Sequence, residues 1–161
     1  MKTRLIFAAA LLASGANLAA AAQADDIRHG RYLVQIGGCN DCHTPGYMRL
    51  EGKVSEADWL TGDAMGWQGA WGTTYPANLR KLAHDMDEGA WVKRLRVPMR
   101  PPMPWFNLQA MSDADLLAMH RYLRSLGLKG DPAPAYVPPG GKVVTPYFDF
   151  SPKNLPEVAK R

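Results

Sequence analysis

Three features of the 161-residue sequence predict a small all-α domain. The clearest is the stretch from Met111 to Gly127, where Leu116, Met119, Leu123 and Leu126 recur at helical spacing. The second is the pentapeptide Cys39-Asn40-Asp41-Cys42-His43, whose thiols at i and i+3 share one face of a helical turn. The third is the segment from Thr61 to Asn78, which has no regular periodicity. Together they predict three to five helices around one covalently held group.

The chain opens with Met1-Lys2-Thr3-Arg4, an apolar run from Leu5 to Leu12, and a small-residue stretch ending Ala22-Gln23-Ala24. This is the form of a secretory signal peptide cleaved before Asp25, so residues 1–24 are expected to be removed and the protein to be periplasmic. The apolar run is short for a membrane span, which needs about 20 residues. Cleavage leaves 137 residues, enough for one domain with a real core. It also removes Lys2 and Arg4 and no acid, so the formal charge falls from +4 to +2. That balance excludes a nucleic-acid-binding composition. The predicted domain covers residues 25–130, and a proline-rich tail covers 131–161.

Asp25 and Asp26 are expected to cap a first helix, with Ile27, Leu33, Val34 and Ile36 supplying apolar contacts. Gly30 offers a close approach for another helix, and Gly37 and Gly38 end this one. Ser55 to Asp58, followed by Trp59 and Leu60, predicts a short helix only. Between Thr61 and Asn78, Gly62, Gly66, Gly69 and Gly72 alternate with Trp67, Trp71 and Tyr75. Aromatics in a long loop need an apolar surface to cover, and the bound group is expected to be that surface.

A third helix is expected from Asp85 or Asp87, with Trp91, Val92 and Leu95 on one side and Lys93, Arg94 and Arg96 on the other, until Pro98 stops it. Arg100-Pro101-Pro102-Met103-Pro104 is expected to be extended, because proline fixes φ and lacks an N–H. In the last helix Ser112 is the N-cap, Asp115 the N3 acid of a capping box, and Met111 a staple to Leu116. Arg121 and Arg124 suit its negative end, and Gly127 closes it. Beyond it, Tyr136, Val137, Val143, Val144, Tyr147, Phe148 and Phe150 make the tail too apolar to be a free linker. Part of it is expected to lie on the domain or on a partner.

Cys-x-x-Cys-His is the attachment signature of a c-type haem. Two thiols on one helical face can add to the two vinyl groups of one haem, and the adjoining His43 can ligate the iron. A thioredoxin-like dithiol would need a βαβ context, and a zinc site would need more ligands than His29, His84 and His120 offer at their spacing. These are the only two cysteines, so the expected cofactor is one haem c held by Cys39 and Cys42. A second axial ligand suited to electron transfer is a methionine, which raises the potential. Met48 is too near His43, Met119 has a helical core position and Met111 is the staple, while Met65 and Met86 lie in poorly defined stretches. Met99 and Met103 remain. Met103, framed by Pro102 and Pro104, is the expected ligand, so the expected iron ligands are His43 and Met103.

These residues resemble the class I c-type cytochromes over most of the chain after residue 24: helix, Cys-x-x-Cys-His, long loop, Met-Pro, terminal helix. From Met103 the sequence Met-Pro-Trp-Phe-Asn-Leu-Gln-Ala-Met-Ser-Asp-Ala-Asp-Leu is more specifically similar to the haem domains of bacterial alcohol dehydrogenase cytochrome subunits. The resemblance implies the class I cytochrome c fold, His43 and Met103 as axial ligands, and a crossing of first and last helices at Gly30 against Tyr122 or Leu123. It also implies that the segment from Trp71 to Arg80 lies near the haem propionates, with Thr73, Tyr75, Asn78 and Arg80 as binding residues beside Trp71. Two departures stand out: those subunits carry three haems and a membrane-binding end. Pro45-Gly46 also sits differently from the Gly-Pro that serves the ligand histidine in mitochondrial-type relatives, so no acceptor for His43 is assigned.

The function these features predict is electron carriage, without chemistry on a substrate. The expected partners are a donor dehydrogenase or membrane complex and an acceptor oxidase or reductase, with no nucleic acid and no membrane span after cleavage. The alternatives are a haem subunit of a periplasmic oxidoreductase complex and a haem protein that binds a small ligand.

Overall fold

The computed structural model describes residues 21–154. The expected signal peptide lies almost wholly outside those residues. Helix α1 runs over residues 21–36 and ends in a turn at Gly37 and Gly38, with Gly38 left-handed at φ 67°. Asp25 and Asp26 are thus inside the helix and do not cap it. Asp25 pairs with Arg28, and Asp26 reaches Arg121. Ile36, expected to be packed, is exposed, as is Tyr32.

The short helix α2 (Cys39–His43) follows, then a 3-10 turn at Glu56–Asp58. The chain continues through strands β1 (Gly66–Gly69) and β2 (Gly72–Thr74) and helices α3 (Leu79–Asp85), α4 (Glu88–Leu95), α5 (Trp105–Ala110) and α6 (Asp113–Ser125). Strand β3 (Tyr147–Asp149) lies in the tail. Among the described residues no helix is long and apolar enough to cross a membrane.

The all-α expectation, and with it the helices-only class I cytochrome c fold, is overturned. Among the described residues six helices accompany a three-stranded mixed sheet of order β2-β1-β3, so the protein is α/β, though mostly helical. The aperiodic stretch holds the antiparallel pair β1–β2, in register Trp67 with Thr74 and Gly69 with Gly72. Strand β3 joins β1 in parallel, Trp67 opposite Phe148. A glycine-rich hairpin has little strand propensity of its own, and here it is completed by a strand from about 80 residues further along.

The sheet also changes what covers the loop aromatics. The Trp67 ring meets Phe148 at 4.9 Å and Phe150 at 5.1 Å between centroids, so tail side chains supply much of the apolar surface it needed. The segment before α5 differs as well. The Met103 N–H donates to Arg100 O at 3.3 Å, closing a turn where extended chain was expected.

Helices α1, α3 and α4 pack on α6. Ser112 and Asp115 form the reciprocal capping box, and Leu116, Met119, Tyr122 and Leu123 are buried. The Trp91 indole of α4 donates to Leu116 O at 2.9 Å, and His120 Nε2 bonds to Ala83 O and Met86 O at 2.9 and 3.1 Å. Helix α1 crosses α6 at Gly30, where an added Cβ would lie 2.0 Å from Ala118 O. The contact is therefore with Ala118 and Met119, one helical turn before the Tyr122 or Leu123 expected.

Gly30→Ala should cost about 2 kcal/mol, the usual penalty for forcing atoms into a packed contact, because the obstacle is backbone and cannot rotate away. Thermal or urea unfolding of the variant beside the wild type measures it, and equal stability would show that the helices do not approach this closely.

Candidate functional site

Helix α2 begins at Cys39 and ends at His43, so the two thiols occupy one face of a single helical turn, with the imidazole next to them. His43 is buried, and its Nδ1 lies 2.7 Å from Ala77 O. A carbonyl can only accept, so Nδ1 carries the proton and donates. The neutral ring then leaves Nε2 with a free lone pair, as a metal-ligating imidazole requires. Burial pushes the His43 pKa below its ordinary value, against the opposing effect of the Ala77 bond, and keeps that neutral form. The Gly62 N–H donates to His43 O at 2.9 Å. Both ends of the excursion from Gly62 to Ala77 are thus bonded to this one histidine.

The turn is backed by a buried polar chain. The Leu60 N–H donates to Thr44 Oγ1, which donates to Asn40 Oδ1, both at 2.7 Å. Thr44 and Asn40 are each 1% exposed.

Both cysteines are free and half-buried. Burial pushes the Cys39 thiol up to about 11, and burial with Asp41 and Asp63 raises that of Cys42. Exchange chemistry needs a thiolate, so this pair is a poor redox dithiol. Among the described residues no group of three or more His, Cys, Asp or Glu side chains could hold a metal ion.

The residues of the Trp71 to Arg80 segment divide into two sets. Asn78 caps α3 through Lys81 N and donates to Lys129 O and Asp131 O. Arg80 is 4% exposed and donates to Gly127 O, Ala57 O and Leu126 O, capping the end of α6. Tyr75 OH bonds to Thr145 Oγ1 at 2.7 Å. Trp71 and Thr73 differ: Trp71 Nε1 and Thr73 Oγ1 are buried with no hydrogen-bond partner among the described residues. Trp71 closes the hairpin turn and Thr73 lies two residues on, in β2. A buried donor without an acceptor costs about 1–3 kcal/mol, and a carboxylate is an acceptor for either.

Met99 and Met103 are half-buried at the margin of the core. The Thr74 hydroxyl donates to Pro101 O at 2.7 Å, so the hairpin touches the turn that carries Met103. The excursion that holds His43 at its two ends therefore also meets the methionine segment, through Thr74.

The donor set fits a covalently attached haem. Two thiols lie at the required spacing, an imidazole has its outer nitrogen free, thioethers lie at the margin of the core, and two orphaned donors are available for carboxylates. Sequence reasoning missed Ala77 O, because a backbone acceptor has no residue-type signature. Asn78 followed by Leu79, Leu82 and Ala83 is a helix-start pattern that could have revealed α3 and its cap. Comparison with protein-family models, curated proteins and solved structures finds no match to this chain.

Two outcomes are expected of the haem-free chain. Cys39 should react with iodoacetamide near neutral pH about a hundredfold more slowly than an unfolded thiol, in proportion to its thiolate fraction. Alkylation at the unfolded rate would contradict that burial. Thr44→Val leaves the Leu60 N–H and Asn40 without their shared partner, and denaturant titration should read a loss of about 1–3 kcal/mol.

Proposed function

We propose that this chain is a monohaem c-type cytochrome that carries single electrons in the periplasm between a dehydrogenase or membrane complex and a terminal oxidase or reductase. The observation that carries the reading is the His43 ring, which closes a Cys-x-x-Cys-His turn with its proton held on Ala77 O and its Nε2 lone pair free. When bound, the haem supplies a one-electron iron couple whose potential depends on axial ligands, hydrogen bonds and burial.

The chain's own residues have separable tasks in this reading. Cys39 and Cys42 anchor the group, and the raised pKa values keep their thiols protonated until attachment. His43 would hold the iron through Nε2, and Ala77 O fixes its tautomer and orientation. Met103 provides the second ligand, held by the turn from Arg100. Trp71 Nε1 and Thr73 Oγ1, buried without partners among the described residues, would donate to the propionate carboxylates. Asn78 and Arg80 build the frame around the site.

A partner surface adjoins the methionine segment. Val97 and Phe106 are exposed there, as are Lys93 and Arg100. Arg96, by contrast, is committed to Leu108 O, Gln109 O and Asp113. A small apolar patch rimmed by cations suits brief docking to an acidic partner.

The full chain made in a periplasm with haem-attachment machinery should stain for covalent haem after denaturing electrophoresis, and Cys39→Ala with Cys42→Ala should abolish the stain. Met103→Ala should remove the long-wavelength absorption band of a Met-ligated oxidised iron and lower the midpoint potential, whereas Met99→Ala should leave both nearly intact. An unstained wild type would end the haem reading. Reversed methionine effects would move the ligand to Met99.

A further inference from the structure

We infer that the tail from Tyr136 to Phe150 is a strap that positions the Trp71–Thr73 hairpin and keeps water from the polar edge of the bound group, thereby raising its potential. The inference rests on the haem reading above and assigns a role to a segment that reading leaves unused.

The strap bonds the hairpin along its whole length. Tyr136 OH donates to Trp71 O at 2.7 Å. Val137 and Thr73 exchange both backbone bonds, at 2.8 and 3.0 Å. Thr145 Oγ1 meets Tyr75 OH, Pro146 O accepts from the Gly66 N–H at 2.8 Å, and the Phe150 N–H donates to Gln68 O at 2.7 Å. Phe150 also packs edge-on to Trp67 and Trp71, with centroids 5.1 and 6.3 Å apart.

The approach is close enough to require glycine. Gly72 has φ 96°, and a Cβ there would stand 2.3 Å from Val137 O. At its upstream end the strap is tied to the methionine segment, since the Arg100 guanidinium lies 4.0 Å above the Tyr136 ring.

The physical consequence follows from the two orphaned donors. Thr73 has its backbone bonded to the strap and its hydroxyl buried without a partner, and Trp71 has its carbonyl bonded to the strap and its indole N–H likewise buried. The strap therefore holds the two residues whose donors await a carboxylate. Removing it lets water reach those donors and the carboxylate they serve. Water stabilises the oxidised, more highly charged iron relative to the reduced one, so the potential falls.

The test uses the full-length, haem-loaded protein. Val137→Pro deletes the N–H that bonds Thr73 O, and Phe150→Ala removes the aromatic contact. Val144→Ala, at an 82% exposed tail position, is the control. Amide exchange at Gln68 and Thr73 should quicken about tenfold in the first two variants, as local opening becomes easier. With haem content unchanged, their midpoint potential should fall, while the control matches the wild type.

Phe150→Ala carries the test alone if Val137→Pro does not accumulate. Faster exchange with an unchanged potential would reduce the strap to a structural role and overturn the inference, as would unchanged exchange or an equal fall in the control. A wild type without covalent haem would instead remove the haem reading, and this inference with it.

Discussion

The hydrogen bond from His43 Nδ1 to Ala77 O is the constraint on which the site depends. It spans 34 residues of chain and joins the Cys-x-x-Cys-His turn to the end of the segment that contains the hairpin. A buried imidazole needs a partner for its N–H, or the cost of desolvation stands uncompensated. The same bond decides which ring nitrogen keeps its lone pair. With Gly62 bonded to the His43 carbonyl, the excursion from Gly62 to Ala77 becomes a loop closed at one residue. Its shape and the direction of the imidazole are therefore coupled.

The buried polar groups around this loop sort by what they are bonded to. Arg80 sends three N–H groups into carbonyls at the ends of other segments and so fills the orphaned acceptors of a helix terminus. Asn78 does the same with its amide while capping α3. These two hold the frame. Trp71 and Thr73 keep buried polar atoms without a partner among the described residues, as do Asn40 and the rings of His84 and His120 at one nitrogen each.

The helical scaffold depends on a close approach at which any side chain is costly. Gly30 lets α1 lie against the α6 backbone at Ala118. That crossing brings Glu56 within reach of both Arg31 and Tyr122, which bond to it at 2.9 and 2.8 Å. The 3-10 turn that carries Glu56 leads into Trp59 and Leu60, and the Leu60 N–H ends the polar chain behind the thiol turn. Helix packing and the site are thus linked through one short connection.

What the sequence by itself determined was local. The capping box at Ser112 and Asp115, the apolar face of α6, a start of α4 at Asp85 or Asp87 and the i, i+3 spacing of the thiols before His43 are each set by residues a few positions apart. Propensity, capping and helical periodicity act over that range, so these features were legible. What only the tertiary structure decided joins residues far apart in the chain. It includes the sheet made from a glycine-rich hairpin and a tail strand, the Ala77 carbonyl behind His43, and the register that sets Gly30 on Ala118. It also includes the use of Asn78 and Arg80 as caps. A strand pairing or a backbone acceptor leaves no trace in residue type, because every residue but proline carries the same N–H and C=O. Only the folded chain determines which of those identical groups meet.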